Sequence, residues 1–499
     1  MFAIDFLYTS ARRVPDKVAV EAPGVRLTYA QLTARVDALA AGLQGLDPEQ
    51  QSRVGICAHN TLDHLLALLA TLAAGKTWVP LNPREVKAEL DAKIAVTRPS
   101  IVIAGEDCLD HFSRPYDVTL VVGTSRLART GKRPERANLP LDATQAIKFT
   151  GGTTSRPKGV KQPYRAWTTG AVCMIHGFGF TQDERVLLAA PMTHGTSCYI
   201  APTLALGATL VLGAARARPA DVLDAFAEMD VSATFLPPTM IYMMMAETGV
   251  RERRYPRLTK LIYGAASMPP PKIREAESVF GMVLATNYGQ TEAPQVITTM
   301  GPEDFRDDAN LASVGRASLL TRVAIMGKDR RLLGPGEEGE IVVAGDLLMT
   351  GYLDMPEQTA ETIIDGWLHT GDGGAIDERG FVFLKDRLRD VIITGGFNVY
   401  PSDVEAALVR HPKVHECVVF GLADDKWGEA VNAAVQLKGG QRASEEEIVA
   451  FAKAELGSVK APKRVVFYDD LPRSAVGKVL RREVKAMEEK RASPTPSGR

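Results

Sequence analysis

The sequence predicts an α/β protein, with a large N-terminal domain of two α/β layers and a small β unit, and a small α+β domain at the C-terminus. Three observations support this prediction. Strands alternate with helices up to Gly301, short strands and turns follow it, and 499 residues exceed the usual size of a single core. We therefore expect domains at residues 1–388 and 389–491, and a disordered Ser/Pro-rich tail at 492–499.

The first layer is predicted from residues 27–122. Its elements are a helix at 27–46 with Thr28 as N-cap, a strand at 53–58, a helix at 61–74, a helix ending at Ala95, and strands at 100–104 and 118–122. The apolar run 65–74 is too short to span a bilayer and fits a buried helix.

The second layer is predicted from residues 185–247, and the C-terminal domain follows the β unit. The second layer holds strands at 185–190, 209–212 and 233–236 and helices near 197–206, 221–229 and 240–247. The C-terminal domain is expected from segments at 404–409, 414–420, 430–437, 445–456 and 464–468, and from a helix at 479–487.

Composition excludes several classes of protein. A net charge of -1 provides no basic surface for nucleic acid. The five cysteines contain no C-x-x-C pair, which argues against zinc ribbons and disulfide frameworks and favours a reducing cytoplasm. The first residues do not resemble a signal peptide, and we expect no transmembrane segment.

The segment Phe149 to Gly159 carries the strongest chemical signal. It combines glycines, four hydroxyls and the cations Arg156 and Lys158 without any acidic residue, which suits phosphate binding. Its spacing fails the Walker pattern, because the position that should hold the lysine is Arg156 or Pro157. An ordinary Gly/Thr-rich surface loop is the alternative that composition leaves open.

Five further stretches have residues suited to chemistry, although each alone is a weak signal. They are Gly264-Ala265-Ala266, Tyr288-Gly289-Gln290-Thr291-Glu292, His369-Thr370-Gly371-Asp372, the charged segment 385–390, and Ser474-Ala475-Val476-Gly477-Lys478. In this order, together with the Gly/Thr loop, they resemble the adenylate-forming superfamily, which includes acyl-CoA synthetases, adenylation domains of peptide synthetases and firefly luciferase.

That resemblance implies how the chain would bind ATP. Thr150, Gly151, Gly152, Thr153, Thr154 and Lys158 match a clamp on the β- and γ-phosphates, Gly264, Ala265 and Ala266 match the adenine site, and Asn287, Tyr288, Gly289 and Gln290 lie in the same site. Thr291 would donate to the α-phosphate, Glu292 would hold Mg²⁺, and Asp372 and Arg387 would contact the ribose.

The resemblance also implies two half-reactions, formation of an acyl-AMP with release of pyrophosphate and then transfer of the acyl group to a thiol. Lys478 matches a mobile lysine that bridges the carboxylate and the α-phosphate, and Arg389 matches the pivot of a mobile C-terminal domain. Gly396, Trp427 and Lys463 match contacts to CoA. Val459 departs from the family, where an aromatic residue often stacks on the CoA adenine.

By the same resemblance the acyl pocket is walled by His194, Gly195, Thr196, Ser197, Tyr263, Gly264, Asn287 and residues 293–296. These walls contain no obvious cationic anchor, so we expect an aryl or medium-chain fatty acid rather than a dicarboxylate. His194 is expected to act as a wall or gate, and a structural histidine is its alternative.

The predicted activity is therefore that of an acyl-CoA synthetase using ATP, Mg²⁺ and CoA. Two alternatives stay open: a ligase that loads a separate carrier protein, and a homologue that binds nucleotide without catalysis. A homo-oligomer is also open, because the sequence does not determine the oligomeric state.

Overall fold

The computed structural model of the protein describes residues 1–112, 119–122, 124, 127, 131–150, 157–424, 426–473 and 479–492. Over these residues the chain is a mixed α/β protein with several sheets, which confirms the predicted fold class. None of the helices in these ranges is both long and apolar enough to cross a membrane.

The helices are α1 (Asp5–Arg13), α2 (Tyr29–Leu46), α3 (Leu62–Ala73), α4 (Lys87–Thr97), α5 (Tyr164–Phe178), α6 (Ile200–Leu206), α7 (Pro219–Glu228), α8 (Pro238–Met245), α9 (Pro270–Phe280), α10 (Pro356–Thr362), α11 (Pro401–Leu408), α12 (Glu445–Lys460) and α13 (Arg481–Ala492). The strands up to residue 300 are β1 (Val18–Ala22), β2 (Val25–Thr28), β3 (Arg53–Cys57), β4 (Thr77–Leu81), β5 (Ile101–Ala104), β6 (Thr119–Val122), β7 (Thr144–Phe149), β8 (Gly159–Pro163), β9 (Arg185–Leu187), β10 (Thr209–Val211), β11 (Ala233–Leu236), β12 (Lys260–Tyr263), β13 (Leu284–Tyr288) and β14 (Thr298–Met300). The later strands are β15 (Arg316–Ala317), β16 (Arg322–Met326), β17 (Gly339–Ala344), β18 (Gly351–Tyr352), β19 (Ile363–Ile364), β20 (Trp367–Ile376), β21 (Val382–Arg387), β22 (Ile392–Thr394), β23 (Phe397–Val399), β24 (Val414–Asp424), β25 (Gly428–Leu437) and β26 (Arg464–Phe467).

The first layer is a seven-stranded sheet in the order β18-β8-β7-β4-β3-β5-β6. Strands β7, β4, β3, β5 and β6 run parallel to one another, whereas β8 is antiparallel to both β7 and β18. Helix α3 is buried from His64 to Ala73, as expected of an apolar run too short to span a bilayer. The predicted cap of α2 is also confirmed, because Thr28 and Gln31 form a capping box.

The second layer is a nine-stranded sheet in the order β15-β14-β13-β12-β11-β9-β10-β1-β2. Its centre is parallel, and antiparallel strands close both edges. The hairpin β1–β2 joins this sheet beside β10, although about 190 residues separate them in sequence. No sequence pattern predicted this pairing, because it depends on contacts between distant segments.

By its contacts the chain forms two compact units. Unit 1 comprises Met1–Ala324, Val342–Thr370 and Asp377–Val382, and unit 2 comprises Ile325–Ile341, Gly371–Ile376 and Phe383–Arg499. In unit 2, strands β23, β22, β25 and β24 form a sheet that β26 joins beside β25. Val404 and Leu408 of α11 and Ile448 of α12 pack against this sheet. A domain boundary at residues 388 and 389 stays a prediction.

Candidate active site

The predicted phosphate loop lies between two antiparallel strands of unit 1. Phe149 at the end of β7 pairs with Gly159 at the start of β8, and the Thr150 amide donates to the Lys158 carbonyl at 3.4 Å. A Walker loop joins a strand to a helix, so this connection confirms that the segment is not one. Gly151, Gly152, Thr153 and Thr154, with Ser155 and Arg156, lie outside the described residues.

Thr291 and Glu292 follow β13 and are held by residues from the first sheet. The Tyr352 hydroxyl donates to Glu292 Oε1 at 2.8 Å, and Gln162 Nε2 donates to the Thr291 carbonyl at 2.8 Å. Lys158 Nζ lies 5.5 Å from the centroid of the Tyr352 ring. The structure therefore brings together three of the predicted ATP residues, Lys158, Thr291 and Glu292, around a tyrosine that the sequence analysis did not identify.

The Tyr288-Gly289-Gln290 segment leaves no space for a side chain at Gly289. A Cβ atom there would lie 2.4 Å from the Gln295 carbonyl carbon, closer than any real contact. Gln290 Nε2 donates to the Thr370 carbonyl at 2.9 Å. The glycine thus allows the chain to turn back closely before Thr291.

The predicted adenine segment lies beside Asn287. Strands β12 and β13 are parallel neighbours, and a Cβ atom at Gly264 would lie 2.8 Å from Asn287 Oδ1. Ala265 has φ 67° and, like Ala266, is exposed. The carboxyl ends of adjacent parallel strands are a common place for nucleotide sites, and these small residues would let a flat base approach the backbone.

The predicted ribose residues form an ion pair within unit 2. Arg387 Nε lies 3.3 Å from Asp372 Oδ1, and the two residues come from the paired strands β21 and β20. Asp372 is buried, whereas the pivot residue Arg389 is exposed with its Nε 3.8 Å from Asp390 Oδ1. Lys478 lies outside the described residues.

The three residues predicted to contact CoA also lie together in unit 2. The Gly395 amide donates to the Trp427 carbonyl at 2.8 Å, and Lys463 Nζ lies 5.7 Å from the Trp427 ring centroid. Gly396 has φ +84°, and no atom of the described residues lies within 4 Å of the position of a Cβ there, so these residues leave the backbone turn open on that side. Val459 is exposed, as a residue available to a ligand would be.

The predicted acyl wall is a 3₁₀ turn, Gly195–Tyr199, that follows His194. His194 is exposed, but neighbouring groups partly desolvate its ring, and this desolvation followed by the positive charge of Lys148 lowers its pKa to about 4. His194 Nδ1 lies 2.9 Å from the Thr193 hydroxyl. The histidine is therefore neutral near pH 7.

Two features of the acyl region were missed by the sequence analysis. Lys148 Nζ donates to the His194 carbonyl at 3.0 Å and to Ser197 Oγ at 2.9 Å, so a cation that the sequence analysis did not identify contacts the predicted pocket walls. A cleft of about 220 Å³ beside this turn is lined largely by α5, a helix that was not predicted. Its lining residues are Ala166, Trp167, Gly170, Ala171, Met174, Cys198 and Pro294.

A second cleft of about 260 Å³ lies where β3, β4, β9 and β10 of unit 1 end. It is lined by Ala58, His59, Asn60, Asn82, Pro83, Arg84, Ala189, Pro191, Thr193 and Ala215. Arg216 Nε contacts His59 Nε2 at 3.0 Å, and its Nη2 donates to Asp107 at 3.1 Å. His59, Asp107 and Cys108 are close enough to share a metal ion, but Arg216 already occupies the polar atoms of His59 and Asp107.

Comparison with known proteins identifies the family. Residues 7–353 match the family model described as AMP-binding enzyme, and residues 403–478 match its C-terminal domain model. The chain is 32% identical to a medium/long-chain-fatty-acid–CoA ligase of Mycobacterium tuberculosis, over 96% of this chain and 89% of that protein. It is 34% identical to a feruloyl-CoA synthase of an Amycolatopsis species, over 95% and 96% of the two chains.

A solved structure shows the same fold. The o-succinylbenzoate CoA synthetase of Bacillus subtilis, in complex with its acyl-adenylate intermediate, matches with a TM-score of 0.86 and 28% identity over 96% of this chain and 97% of that one. Together with the family models and the arrangement of Lys158, Thr291 and Glu292, this places the chain in the AMP-binding enzyme family.

Proposed function

We propose that the protein is an ATP-dependent acyl-CoA synthetase. It activates a carboxylic acid as an acyl-AMP, releases pyrophosphate, and then transfers the acyl group to the thiol of CoA. The observation that supports this best is the grouping of Lys158, Thr291 and Glu292 around Tyr352, in a chain whose relatives include fatty-acyl and feruloyl CoA ligases.

Activation is needed because a carboxylate is a poor electrophile, and its chemistry requires charge neutralisation at phosphorus. In our proposal Lys158 and the loop 150–154 grip the β- and γ-phosphates, and Thr291 donates to the α-phosphate. Asp372 accepts from the ribose hydroxyls beside Arg387. Lys478 bridges the acid and the α-phosphate.

The residues present fit a magnesium ion. Glu292 is half-buried, and among the residues that the structure describes only Tyr352 hydrogen-bonds its carboxylate, through Oε1. A carboxylate oxygen thus stays available to a hard cation that is otherwise held by phosphate oxygens and water. When bound, the ion would neutralise the charge that develops on the phosphates.

CoA is the proposed acceptor because both units carry exposed cationic side chains that suit its phosphates. Unit 2 also carries an exposed aromatic ring that suits its adenine. In unit 1 the guanidinium of Arg84 is exposed beside the second cleft, and no carboxylate pairs with it among the described residues. In unit 2 Trp427 and Lys463 form an exposed aromatic and cationic pair next to Gly396. A carrier protein, whose prosthetic thiol lacks the adenine nucleotide, would make less use of these groups.

The proposed acid is an aryl or medium-chain fatty acid, in keeping with the apolar lining of the cleft beside the 194–198 turn. We also propose a cytoplasmic location, because all five cysteines are unpaired in the structure.

The test is ATP–pyrophosphate exchange across a panel of carboxylic acids, followed by thioester formation with CoA or with a phosphopantetheinylated carrier. We expect exchange with a subset of acids and a thioester with CoA. A thioester with the carrier alone would favour the carrier-loading alternative. Nucleotide binding without exchange for any acid would identify a catalytically inactive homologue.

A further inference from the structure

Lys148 is a buried cation whose described contacts are all neutral. Besides the His194 carbonyl and Ser197 Oγ, its Nζ lies 5.0 Å from the ring centroid of Trp78 and 5.1 Å from that of Trp167. Among the residues that the structure describes, no carboxylate pairs with it. Carbonyl, hydroxyl and aromatic groups stabilise an ammonium ion but leave its charge unneutralised.

A second buried lysine shows what a purely structural one looks like in this fold. Lys76, 1% exposed, has its Nζ 3.7 Å from Asp47 Oδ2 and donates to the Glu49 carbonyl and to Ser52 Oγ. Burial lowers the pKa of both lysines, and among the described residues a carboxylate, Asp47, opposes the shift for Lys76 but none does so for Lys148. Lys148 therefore carries a desolvation cost that hydrogen bonds and aromatic rings reduce but that no described counter-ion offsets.

The apolar cleft beside the 194–198 turn is next to this cation. Trp167 and Cys198 line the cleft, and each also interacts with Lys148, the first through its ring and the second electrostatically. In the same turn the Thr196 hydroxyl is buried, and no residue that the structure describes hydrogen-bonds it. Within the described part of the chain, an ammonium without a counter-ion and a hydroxyl without a partner thus occur together at the 194–198 turn, beside the apolar cleft that Trp167 and Cys198 line.

We propose that Lys148 and Thr196 form a polar end of the acyl pocket and select acids that carry a second oxygen acceptor, such as a keto, phenol or carboxylate oxygen, besides the carboxylate that is activated. This inference rests on the proposed acyl-CoA synthetase function. An acid with the second oxygen accepts hydrogen bonds from both groups. A plain hydrocarbon acid of the same size covers them and leaves them unpaired in a desolvated site, which is the stronger source of discrimination.

The experiment uses two size-matched pairs of acids, 7-oxooctanoate with octanoate and 3-(4-hydroxyphenyl)propanoate with 3-(4-methylphenyl)propanoate. The full-length protein is assayed by pyrophosphate exchange, and kcat/KM is compared within each pair. We expect the oxygenated acid to be preferred at least about tenfold in one pair or both. Lys148→Met should abolish the preference, mainly by weakening the oxygenated acid, whereas Lys148→Arg should retain it. Lys161→Met, on the neighbouring strand β8, is the matched control and should leave the ratio unchanged.

The ratio of kcat/KM values within a pair distinguishes substrate selection from an effect on folding. Replacing a merely structural lysine would lower kcat/KM equally for both acids. Equal rates within both pairs for the wild-type protein, or an unchanged ratio in Lys148→Met, would overturn the inference. If Lys148→Met does not fold, as judged by circular dichroism, the test rests on the kcat/KM ratios of the wild-type protein and of Lys148→Arg.

Calorimetric titration of the same acids into the protein without ATP separates this inference from the proposed function. Tighter binding of the oxygenated acids without exchange would leave the pocket assignment standing while the proposed function failed. Pyrophosphate exchange together with equal binding affinity for both members of each pair would support the proposed function and overturn the pocket assignment.

Discussion

The Tyr352 hydroxyl donates a hydrogen bond of 2.8 Å to Glu292 Oε1, and Met349 on the same segment donates its amide to the Glu292 carbonyl at 2.8 Å. Residues 349–352 therefore fix both the backbone and the carboxylate of the proposed magnesium ligand. Burial, followed by the negative charge of Glu292, raises the pKa of Tyr352 far above its ordinary value, so the phenol stays a donor at every pH of interest.

Replacing Tyr352 by Phe should weaken magnesium binding. Without the phenol the Glu292 carboxylate can rotate, and the loss of a group that orients a metal ligand typically weakens the metal by roughly tenfold or more. We expect a higher Mg²⁺ concentration for half-maximal pyrophosphate exchange, measured at saturating ATP. Tyr400→Phe, which removes another phenol near a carboxylate, Glu338, is the control. An unchanged Mg²⁺ requirement would refute the role of Tyr352.

Gly289→Ala should impair catalysis more than stability. The added methyl group would collide with the Gln295 backbone at 2.4 Å and displace the segment that carries Thr291 and Glu292. We expect a loss of exchange activity of about 100-fold, since small displacements of positioned groups have such effects. Gly439→Ala, where a Cβ meets no atom within 4 Å, is the matched control. Activity close to wild type in Gly289→Ala would show that the turn can relax.

Lys158→Ala should raise the KM for ATP and leave the second half-reaction intact. The lysine follows the proposed phosphate loop, and removal of a charged phosphate contact typically weakens binding by roughly tenfold. Thioester formation from supplied acyl-AMP and CoA involves no β- or γ-phosphate, so its rate should match the wild type. An equal fall in the rates of both half-reactions would show that Lys158 does not act through the β- and γ-phosphates.

Lys478→Ala should also impair the first half-reaction and spare the second, but by lowering kcat rather than by raising the KM for ATP. If its ammonium bridges the carboxylate and the α-phosphate, acyl-AMP formation should fall by about 100-fold or more. Thioester formation from supplied acyl-AMP should stay largely intact. Single-turnover measurements of each step test this, and an equal loss in both would argue against a mobile domain that delivers the lysine.

His64 should make the protein less stable in mild acid. Burial lowers its pKa from 6.5 to about 4, while Nδ1 contacts the His59 carbonyl at 3.1 Å. Because the unfolded chain binds a proton at higher pH than the folded one, the free energy of unfolding should fall as the pH drops from about 6.5 towards 4, by about 3 kcal/mol in total. Urea titrations at pH 7.5 and 5 should show this fall, and His64→Gln should reduce it. His176→Gln, at an exposed position, should not.

The alternation of strands and helices predicted the two layers, because local periodicity reports which face of each element is buried. Sequence motifs also predicted Thr28 as the N-cap of α2 and placed Asp372 and Arg387 in the same site. Gln162 and Thr291, in contrast, are 129 positions apart and meet only through the order of the strands. The role of Lys148 was hidden for the same reason, since its environment comes from β4, α5 and the 194–198 turn, and a lysine in sequence resembles a surface residue.

The packing of Trp78 and Trp167 around Lys148 also places two fluorescent side chains beside this cation. These are two of its four tryptophans, their ring centroids lie 6.0 Å apart, and both rings are within about 5 Å of the Lys148 ammonium. Indole emission is sensitive to nearby charge and to the exclusion of water. Binding of an acid in the proposed acyl pocket should therefore change the intrinsic fluorescence, without any label on the acid or the enzyme.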